Sequence, residues 1–239
     1  MTRIQNTCPV AIVTGASRGF GRAVTSALLD RGWAVVGDAR RASELKTTAR
    51  ELNSTQLIAL PGDVTEASHR DALVDAANTV GPLRLLVNNA SRLGPSPQPA
   101  LSDYPASELW AVYHTNLFAP LALIQVALPA LTDNAGVIVN LTSDAAVEPY
   151  PGWGGYGSSK AALDQLSAVL AAESSTVPVY AFDPGDMRTE MHQAAFPGED
   201  ISDRAEPESV VPALLRLLDT RPAPGRYRAA DLLLSGVRQ

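Results

Sequence analysis

Two side chains that can exchange a proton stand four residues apart in the second half of the chain. Tyr156 and Lys160 bound the run Tyr156-Gly-Ser-Ser-Lys160, which opens a segment of helical period. Residues at this spacing lie one turn above each other on the same face of a helix. A tyrosine has a pKa of about 10, so a proton donor that works near neutral pH needs a neighbouring positive charge to lower it. We expect the Lys160 ammonium to supply that charge, and the pair predicts acid–base chemistry.

The lysine is informative because only two of the 19 basic residues are lysines, Lys46 and Lys160. A compact ammonium favours a phenolate and can also turn its donors towards ligand hydroxyl groups, which a planar guanidinium does less well. An exposed lysine beside a half-buried tyrosine would be the plainer interpretation of this pair if it stood alone. The residues described next favour the chemical interpretation.

Two more polar residues are candidates for the same site. Ser143 follows the apolar run Val137-Ile-Val-Asn-Leu141, so its hydroxyl is predicted at the carboxyl end of a strand, where it can stabilise a carbonyl oxygen. The alternative role for Ser143 is a turn residue. Asn116 stands inside a segment of helical period, where asparagine is disfavoured by propensity, and this position favours a role in a site.

A glycine-rich run follows the first apolar segment and precedes a helical one. Its glycines have the spacing G-x3-G-x-G, which permits a tight turn and lets a pyrophosphate approach the backbone N–H groups at the start of a helix. The alternative is an ordinary glycine-rich turn between a strand and a helix. The residues expected to surround a bound dinucleotide are Gly15, Ser17, Arg18, Gly19, Phe20 and Gly21.

Strand-length apolar runs alternate with longer helical segments, which is typical of a parallel sheet built from βαβ units. Most of the runs lack polar alternation, as expected for strands covered on both faces. We therefore predict an α/β fold with a doubly wound parallel sheet and a single domain over residues 1–239. The predicted strands lie near 9–14, 34–38, 56–61, 83–88, 136–142 and 177–183, and the predicted helices near 19–31, 42–52, 66–80, 106–131 and 157–174.

Local signals refine these boundaries. Thr65 is predicted to be an N-cap, and Gly32 and Gly81 to end helices. Pro120 and Pro129 are expected to break or kink the fourth helix. Segments near 91–105 and 185–206 fit neither period, and we expect them to be substrate loops over the carboxyl edge of the sheet, where open α/β sheets bind ligands.

Composition excludes several classes of protein. With 239 residues, 46% apolar and 18% charged, the chain can bury one large core. A net charge of -6 without a basic cluster disfavours nucleic acid as a partner. No apolar run reaches the length of a membrane span, one cysteine cannot form an internal disulfide, and the scattered histidines do not predict a metal site. We expect a cytoplasmic protein with no metal.

The ordered set of motifs resembles the short-chain dehydrogenase/reductase family, over residues 9–190. It comprises the glycine-rich turn, Gly62-Asp-Val-Thr65, Asn88-Asn-Ala90, Ser143 and the Tyr156/Lys160 pair. The resemblance implies a Rossmann fold and a nicotinamide cofactor that lies against Asp63, Val64, Asn88, Ala90, Pro184, Gly185, Met187 and Thr189 as well as Tyr156 and Lys160. The alternatives are a turn or capping role for Asp63 and strand-end hydrogen bonding for the asparagines. Ser91 stands where the family usually has glycine.

The resemblance also implies a reaction and an assembly. Tyr156 would protonate a carbonyl oxygen as hydride reaches the carbon, Ser143 would hold that oxygen, and Asn116 would lie at a helix irregularity and relay protons to Lys160 through a water. A homo-oligomer, dimer or tetramer, is expected. The alternatives are a non-catalytic NADP-binding regulator on the same fold and an epimerase or dehydratase of nucleotide sugars, which needs a larger carboxyl-terminal substrate domain.

The cofactor choice depends on the end of the second strand. The position of the ribose-binding acid in NAD-dependent relatives falls on Ala39, and Arg40 and Arg18 can flank a 2'-phosphate. NADP is therefore expected, and NAD is less likely. A shift of one residue would place Asp38 on the ribose and predict an NAD-dependent alcohol dehydrogenase instead.

Apolar side chains close to the catalytic residues predict the substrate class. They are expected to form a pocket for a medium-sized hydrophobic or cyclic carbonyl compound rather than for a sugar or a small charged acid. The alternative is that Tyr150 and Trp153 pack between subunits or anchor their loop. The candidate substrate residues are Tyr150, Trp153, Leu93, Met191 and Phe196, with Met187 beside them.

Overall fold

Seven parallel strands form the centre of the protein in a computed structural model that describes residues 8–234. Their order across the sheet is β3-β2-β1-β4-β5-β6-β7, with a crossover between β1 and β4. This arrangement confirms the predicted α/β fold with a doubly wound parallel sheet. The strands are β1 (Val10–Val13), β2 (Ala34–Ala39), β3 (Leu57–Pro61), β4 (Leu83–Asn88), β5 (Val137–Leu141), β6 (Val179–Asp183) and β7 (Gly225–Arg228).

Helices cover both faces of this sheet, so the inner strands are buried on both sides. Apolar residues of β1 show the division: Ala11 and Val13 pack into one core, and Val10 and Ile12 into the other. The helices are α1 (Gly19–Asp30), α2 (Ala42–Leu52), α3 (Ala67–Val80), α4 (Ala106–Tyr113), α5 (Ala119–Asp133), α6 (Gly154–Glu173), α7 (Glu190–Ala195), α8 (Pro207–Thr220) and α9 (Ala229–Leu234).

Four elements towards the end of the chain were not predicted, namely α7, α8, β7 and α9. Helix α7 lies within the segment 185–206, which was expected to be a loop. Helix α8 carries a readable signal, since Val210, Val211, Leu214 and Leu217 recur at helical spacing and are buried. Strand β7 carries almost none, because its sequence Gly-Arg-Tyr-Arg has no apolar run and it pairs at the edge of the sheet.

One local prediction was wrong, and a second was right only in part. Thr65 does not cap α3: its backbone N–H and its hydroxyl both donate to Asp63 Oδ1, at 2.9 and 2.8 Å, and Glu66 takes the N-cap position. Helix α5 begins beside Pro120 but runs unbroken past Pro129 to Asp133. Gly81 ends α3 as predicted, with its N–H bonded to the Ala77 carbonyl.

The continuous helical segment from Ala106 to Asp133 interrupts its own regularity. A π-helical stretch, His114–Phe118, joins α4 to α5. Among residues 8–234, this segment alone is long and apolar enough to cross a membrane by length and composition, with a mean hydropathy of 1.4 over its best window. Leu123, Ile124 and Ala127 pack one face of it against the sheet, so core packing accounts for the apolar residues on that face.

Candidate active site

The glycine-rich turn between β1 and α1 has the backbone geometry that its spacing predicts. Gly15 and Gly19 have φ values of +69° and +52°, which side-chain-bearing residues rarely adopt. A Cβ on Gly21 would lie 2.3 Å from the Gly15 carbonyl oxygen, so only glycine lets α1 approach the turn this closely. Helix α1 thus begins with its first N–H groups facing the space above the sheet, where an anion can bind.

Residues that the sequence analysis did not assign to the site hold this turn in place. Asn89 Nδ2 donates to the Thr14 carbonyl at 2.8 Å, and Thr14 Oγ1 accepts from the Asn89 and Ala90 N–H groups, each at 2.9 Å. Asp38 Oδ1 accepts the Gly15 N–H at 2.8 Å, and its other oxygen lies 3.2 Å from His69 Nε2. The buried Asp38 carboxylate is therefore bonded to the turn and to α3. The only sequence signal for Asp38 was its place next to Ala39, the position expected for a ribose-binding acid.

A cavity of about 460 Å³ opens over the turn at the carboxyl edge of the sheet. Most of the predicted cofactor residues line it: Gly15, Ser17, Arg18, Gly19, Phe20, Arg40, Asp63, Val64, Ala90, Tyr156, Lys160, Pro184, Met187 and Thr189. The predicted residues that do not line it are Gly21, Asn88 and Gly185. Asn88 Nδ2 instead donates to the buried Asn140 Oδ1 at 2.8 Å, which is the strand-end role named as its alternative.

Arginines and carboxylates alternate at one mouth of the cavity. Arg18 forms an ion pair with Glu190 of α7, and Arg41 forms one with Glu44 of α2. Burial opposes the ionisation of Asp63, but the hydrogen bonds from Thr65 and the nearby charge of Arg40 leave its pKa below the ordinary value. The mouth therefore offers exposed guanidinium groups to an anionic ligand. Within residues 8–234, no group of three or more His, Cys, Asp or Glu side chains could hold a metal ion.

Tyr156 and Lys160 lie on one face of α6, buried at the floor of the cavity. The Lys160 Nζ atom is 5.5 Å from the centre of the Tyr156 ring. It donates to the Leu141 carbonyl at the end of β5, at 2.7 Å. Burial lowers the pKa of Lys160 to about 8, and the negative charge of Asp164 opposes this lowering.

The expectation that Lys160 lowers the pKa of Tyr156 is wrong for this structure. Burial raises the pKa of Tyr156 above its ordinary value, and the charges of Asp183 and Asp144 add to that effect, whereas the hydroxyls of Ser91 and Ser143 oppose it. The Lys160 ammonium bonds to a backbone carbonyl instead of the phenol. Tyr156 is consequently protonated at neutral pH, and its raised pKa makes it a weaker acid than an ordinary tyrosine.

Ser143 lies two residues after Leu141, the last residue of β5, at the predicted carboxyl end of the strand. Its hydroxyl faces Tyr156, donates to Asp144 Oδ1 at 2.9 Å, and accepts the Ala145 N–H at 3.2 Å as the cap of a 3₁₀ turn, Asp144–Ala146. Neither Ser143 nor Asn116 lines the cavity itself. A carbonyl oxygen between Ser143 and Tyr156 would meet two hydroxyl donors.

Asn116 lies in the π-helical stretch, so the predicted helix irregularity is present. Its buried side chain is fully bonded: Oδ1 accepts from Ser91 Oγ at 3.1 Å and from the Arg92 N–H at 2.8 Å, and Nδ2 donates to the Arg92 carbonyl and to Ser159 Oγ, each at 2.9 Å. The side chain thus joins the loop after β4 to α6. The proton relay through a water stays a prediction.

The predicted nicotinamide segment after β6 is ordered by local bonds. Asp183 Oδ1 accepts the Gly185 N–H at 3.0 Å, and Gly185 has a φ of +73°. Met187 pairs with Ala205 as an isolated bridge, and Thr189 Oγ1 caps α7 by accepting the His192 N–H at 3.2 Å. These contacts place the start of α7 over the cavity.

The candidate substrate residues cluster around Tyr156 beside the cavity. Leu93 and Tyr156 form an apolar cluster against which Trp153 and Met191 pack. The Trp153 ring centre lies 5.8 Å from those of Tyr156 and Phe196 and 6.3 Å from that of Tyr150. Met191 lines the cavity, whereas Leu93, Tyr150, Trp153 and Phe196 do not. Trp153 contacts both Tyr156 and Phe196, which follows α7, so it connects α6 with the segment after β6.

Known proteins resemble the chain in sequence and in structure. A sepiapterin reductase from Meriones unguiculatus is 36% identical over 203 residues, with 79% of this chain and 78% of the relative covered. A serine 3-dehydrogenase from Rhizobium radiobacter is 34% identical over 183 residues, covering 75% and 72% of the two chains. A short chain dehydrogenase from Shigella flexneri, solved in complex with NADP, superposes with a TM-score of 0.87 at 28% identity and covers 94% of this chain and 98% of that one.

A family model described as short chain dehydrogenase matches residues 9–200. The matched region holds the glycine-rich turn, Asn116, Ser143 and the Tyr156/Lys160 pair, all placed at the carboxyl edge of one parallel sheet. The fold, the relatives and the family match therefore lead to one conclusion: the chain is an oxidoreductase of the short-chain dehydrogenase/reductase family.

Proposed function

We propose that this protein is an NADPH-dependent carbonyl reductase. The observation that carries the proposal is that Tyr156, Lys160 and the glycine-rich turn line one cavity. One cavity therefore joins a proton donor to a dinucleotide-binding turn. The positive φ values of Gly15 and Gly19 and the close approach of Gly21 fit a bound dinucleotide.

When bound, the dinucleotide supplies the hydride. The chain's own residues supply the proton and the polar contacts. Tyr156 donates its hydroxyl proton to the substrate carbonyl oxygen, and Ser143 turns its hydroxyl from Asp144 to the same oxygen. Lys160 contributes a buried positive charge next to the phenol. Burial keeps the Tyr156 hydroxyl protonated, and oxidation of an alcohol would use the same groups in the reverse direction.

NADP is the proposed cofactor form because the end of β2 offers no free carboxylate to the adenosine ribose. Ala39 occupies the position expected for the ribose-binding acid, and Asp38 is buried with both oxygens engaged. Arg18 and Arg40 line the cavity and can bond a 2'-phosphate. The structural relative solved with NADP supports the same choice. An NAD-dependent alcohol dehydrogenase remains the alternative.

The proposed substrate is a medium-sized hydrophobic or cyclic ketone. Support comes from the apolar side chains around Tyr156, namely Leu93, Trp153 and Met191, which favour apolar ligand surface over sugar hydroxyls. One relative is named as a reductase of sepiapterin and another as a dehydrogenase of serine, so the relatives do not choose between substrate classes. The experiment therefore includes polar substrates as well as hydrophobic ones.

A non-catalytic NADP-binding regulator is the second candidate. It would need the turn but not the buried lysine, and burying Lys160 is costly unless the charge has a use. We therefore favour the enzyme.

We also propose that it is a cytoplasmic homo-oligomer. The exposed apolar side chains of Trp110, Phe118 and Val126 on the helical segment 106–133 support oligomerisation, and light scattering at several concentrations tests it.

The experiment that tests the function is a screen of NADPH consumption with aromatic ketones, cyclic ketones, quinones and aldehydes, together with a screen of NADP+ reduction with hydroxy amino acids. Tyr156→Phe is the blank, because activity that survives in it does not come from this site. We expect Tyr156-dependent oxidation of NADPH with hydrophobic ketones. Tight NADPH binding without turnover of any carbonyl compound would instead support the regulator.

A further inference from the structure

Arg226 lies on β7, an element that the sequence did not predict, yet its side chain reaches behind the catalytic residues. Its Nε atom donates to Asp164 Oδ2 at 3.0 Å. Its Nη2 atom donates to Asp183 Oδ2 at 2.8 Å and to the Ser143 carbonyl oxygen at 3.0 Å. One guanidinium thereby joins α6, the end of β6 and the residue that carries the proposed carbonyl-binding hydroxyl.

Each partner of Arg226 belongs to, or lies next to, a residue of the candidate active site. Asp164 follows Lys160 by one helical turn on α6. Asp183 also bonds the Gly185 N–H, which orders the segment after β6 that covers the cavity. Ser143 is held at its backbone by Arg226, and Lys160 holds the neighbouring Leu141 carbonyl in the same way at 2.7 Å. Two cations thus fix the end of the strand that carries Ser143.

Four charged side chains lie close together behind the cavity, and their formal charges sum to zero. Lys160 and Arg226 are positive, and Asp164 and Asp183 are negative. Their side chains are little exposed, at 26% for Arg226, 16% for Asp164 and 4% for Asp183, so water screens them weakly. Without the guanidinium, two buried carboxylates would face one buried ammonium.

Most of the other groups around Lys160 and Tyr156 are neutral or paired, and Asp144 adds a negative charge that the substitutions below leave in place. On its own helix α6 lies Tyr156, which burial keeps protonated. The π-helical stretch contributes the neutral Asn116, which bonds Ser159, and α4 contributes Glu108, which is paired with Arg92. Asp144, after β5, accepts hydrogen bonds from Ser143 and Tyr150.

We propose that Arg226 is a positioning residue of the active site, which fixes the Ser143 end of β5 and neutralises the carboxylates beside Lys160. The expected effect of Arg226 on catalysis rests on the proposed function, whereas its expected effect on the pKa of Lys160 does not. Loss of the guanidinium leaves Asp164 and Asp183 uncompensated. Their field stabilises the charged form of Lys160 and opposes the ionisation of Tyr156, so both pKa values should rise.

The chain allows a direct test, since Lys46 and Lys160 are its only lysines. Protein labelled with [13Cε]lysine should give two side-chain signals in a carbon–proton NMR titration, and Lys46→Arg assigns them. This measurement needs neither cofactor nor substrate. In the unmodified protein the pKa of Lys160 is expected at about 8.

The variants have opposite expected signs. Arg226→Gln should raise the pKa of Lys160 by about half a unit or more, and Asp164→Asn should lower it. Arg226→Lys keeps a positive charge and should restore most of the original value. Arg228→Gln, at an exposed position two residues along the same strand, is the matched control and should leave the Lys160 titration unchanged.

Kinetics with a ketone found in the screen give the second readout. Arg226→Gln should lower kcat by about tenfold or more through misplacement of Ser143, while Arg228→Gln should change it less than about twofold. If Arg226→Gln does not fold, Arg226→Lys and Asp164→Asn still decide the claim. Equal Lys160 pKa values in the unmodified protein and in Asp164→Asn, or in Arg226→Gln where it folds, would overturn the proposal even if thermal stability fell. A failed ketone screen with shifted pKa values would refute only the proposed function.

Discussion

The amino-terminal and carboxyl-terminal halves of the sheet edge both contribute residues to one cavity, but they are built differently. Around the glycine-rich turn, the geometry comes from backbone torsions and absent side chains, as at Gly15, Gly19 and Gly21. Around Ser143 and Lys160, it comes from long side chains that connect distant segments, as when Arg226 bonds Asp164, 62 positions away. The first region therefore depends on glycines that carry no side chain, and the second depends on charged side chains that neutralise one another.

This contrast predicts different consequences of substitution. Changes in the turn should weaken cofactor binding and stability, whereas changes around α6 should slow the chemical step. Lys160→Arg should show the largest effect, a fall in kcat of about 100-fold or more, because a planar guanidinium cannot occupy the buried place of a compact ammonium. Steady-state kinetics with NADPH and a confirmed ketone measure it.

Lys46→Arg is the natural control for that variant, since it makes the same exchange at the only other lysine, on the exposed side of α2. It should retain nearly full turnover. Comparable rates for the two variants would mean that the ammonium at position 160 has no special role.

The cofactor mouth should respond in selectivity instead. Arg40→Ala should reduce the preference for NADPH over NADH, expressed as the ratio of kcat/KM values, by about tenfold, because one charge-assisted contact to a 2'-phosphate is lost. Arg50→Ala, on an exposed stretch of α2, should leave the ratio unchanged. A protein that prefers NADH before any substitution would contradict the assignment of NADP.

Gly21→Ala tests the packing of the turn itself. The new Cβ would be placed 2.3 Å from the Gly15 carbonyl oxygen, and relieving such overpacking costs about 1–3 kcal/mol. We expect a lower Tm in thermal unfolding and weaker NADPH binding. At Gly225 an added Cβ would meet only the Tyr227 ring, at 3.9 Å, so Gly225→Ala should unfold close to the original temperature.

The smallest effects are expected in the substrate pocket. Trp153→Ala and Phe196→Ala should each raise KM for bulky ketones more than for small ones, by a few-fold to about tenfold, because buried apolar contact area is removed. Each variant is its own control across the two substrate sizes. Unchanged selectivity in both would place the substrate elsewhere along the cavity.

What could be predicted from the sequence follows the same division. The turn is a local pattern, so its glycines, its strand and its helix are readable within about 20 residues. Strand β7 and the role of Arg226 are not readable, since they depend on contacts across the fold. The raised pKa of Tyr156 was missed for the same reason: sequence spacing places Lys160 one turn away, but only the structure shows its ammonium bonded to Leu141.

The side chain of Asp38 illustrates the limit most clearly. Its position at the end of β2 left NAD and NADP open, because a shift of one residue would reverse the prediction. The structure places its carboxylate under the glycine-rich turn with His69. Burial direction at a strand end is fixed by the whole sheet, and the sequence around Asp38 does not determine it.

The central claim is that Tyr156 donates the proton during reduction of a carbonyl compound. Tyr156→Phe keeps the ring and its packing against Trp153 but removes the donor, so the measurement is kcat for NADPH oxidation with a confirmed ketone, together with the NADPH dissociation constant from cofactor fluorescence. The account predicts a fall in kcat of about 100-fold or more with cofactor affinity little changed. A Phe variant that turns over the ketone at nearly the original rate would contradict it.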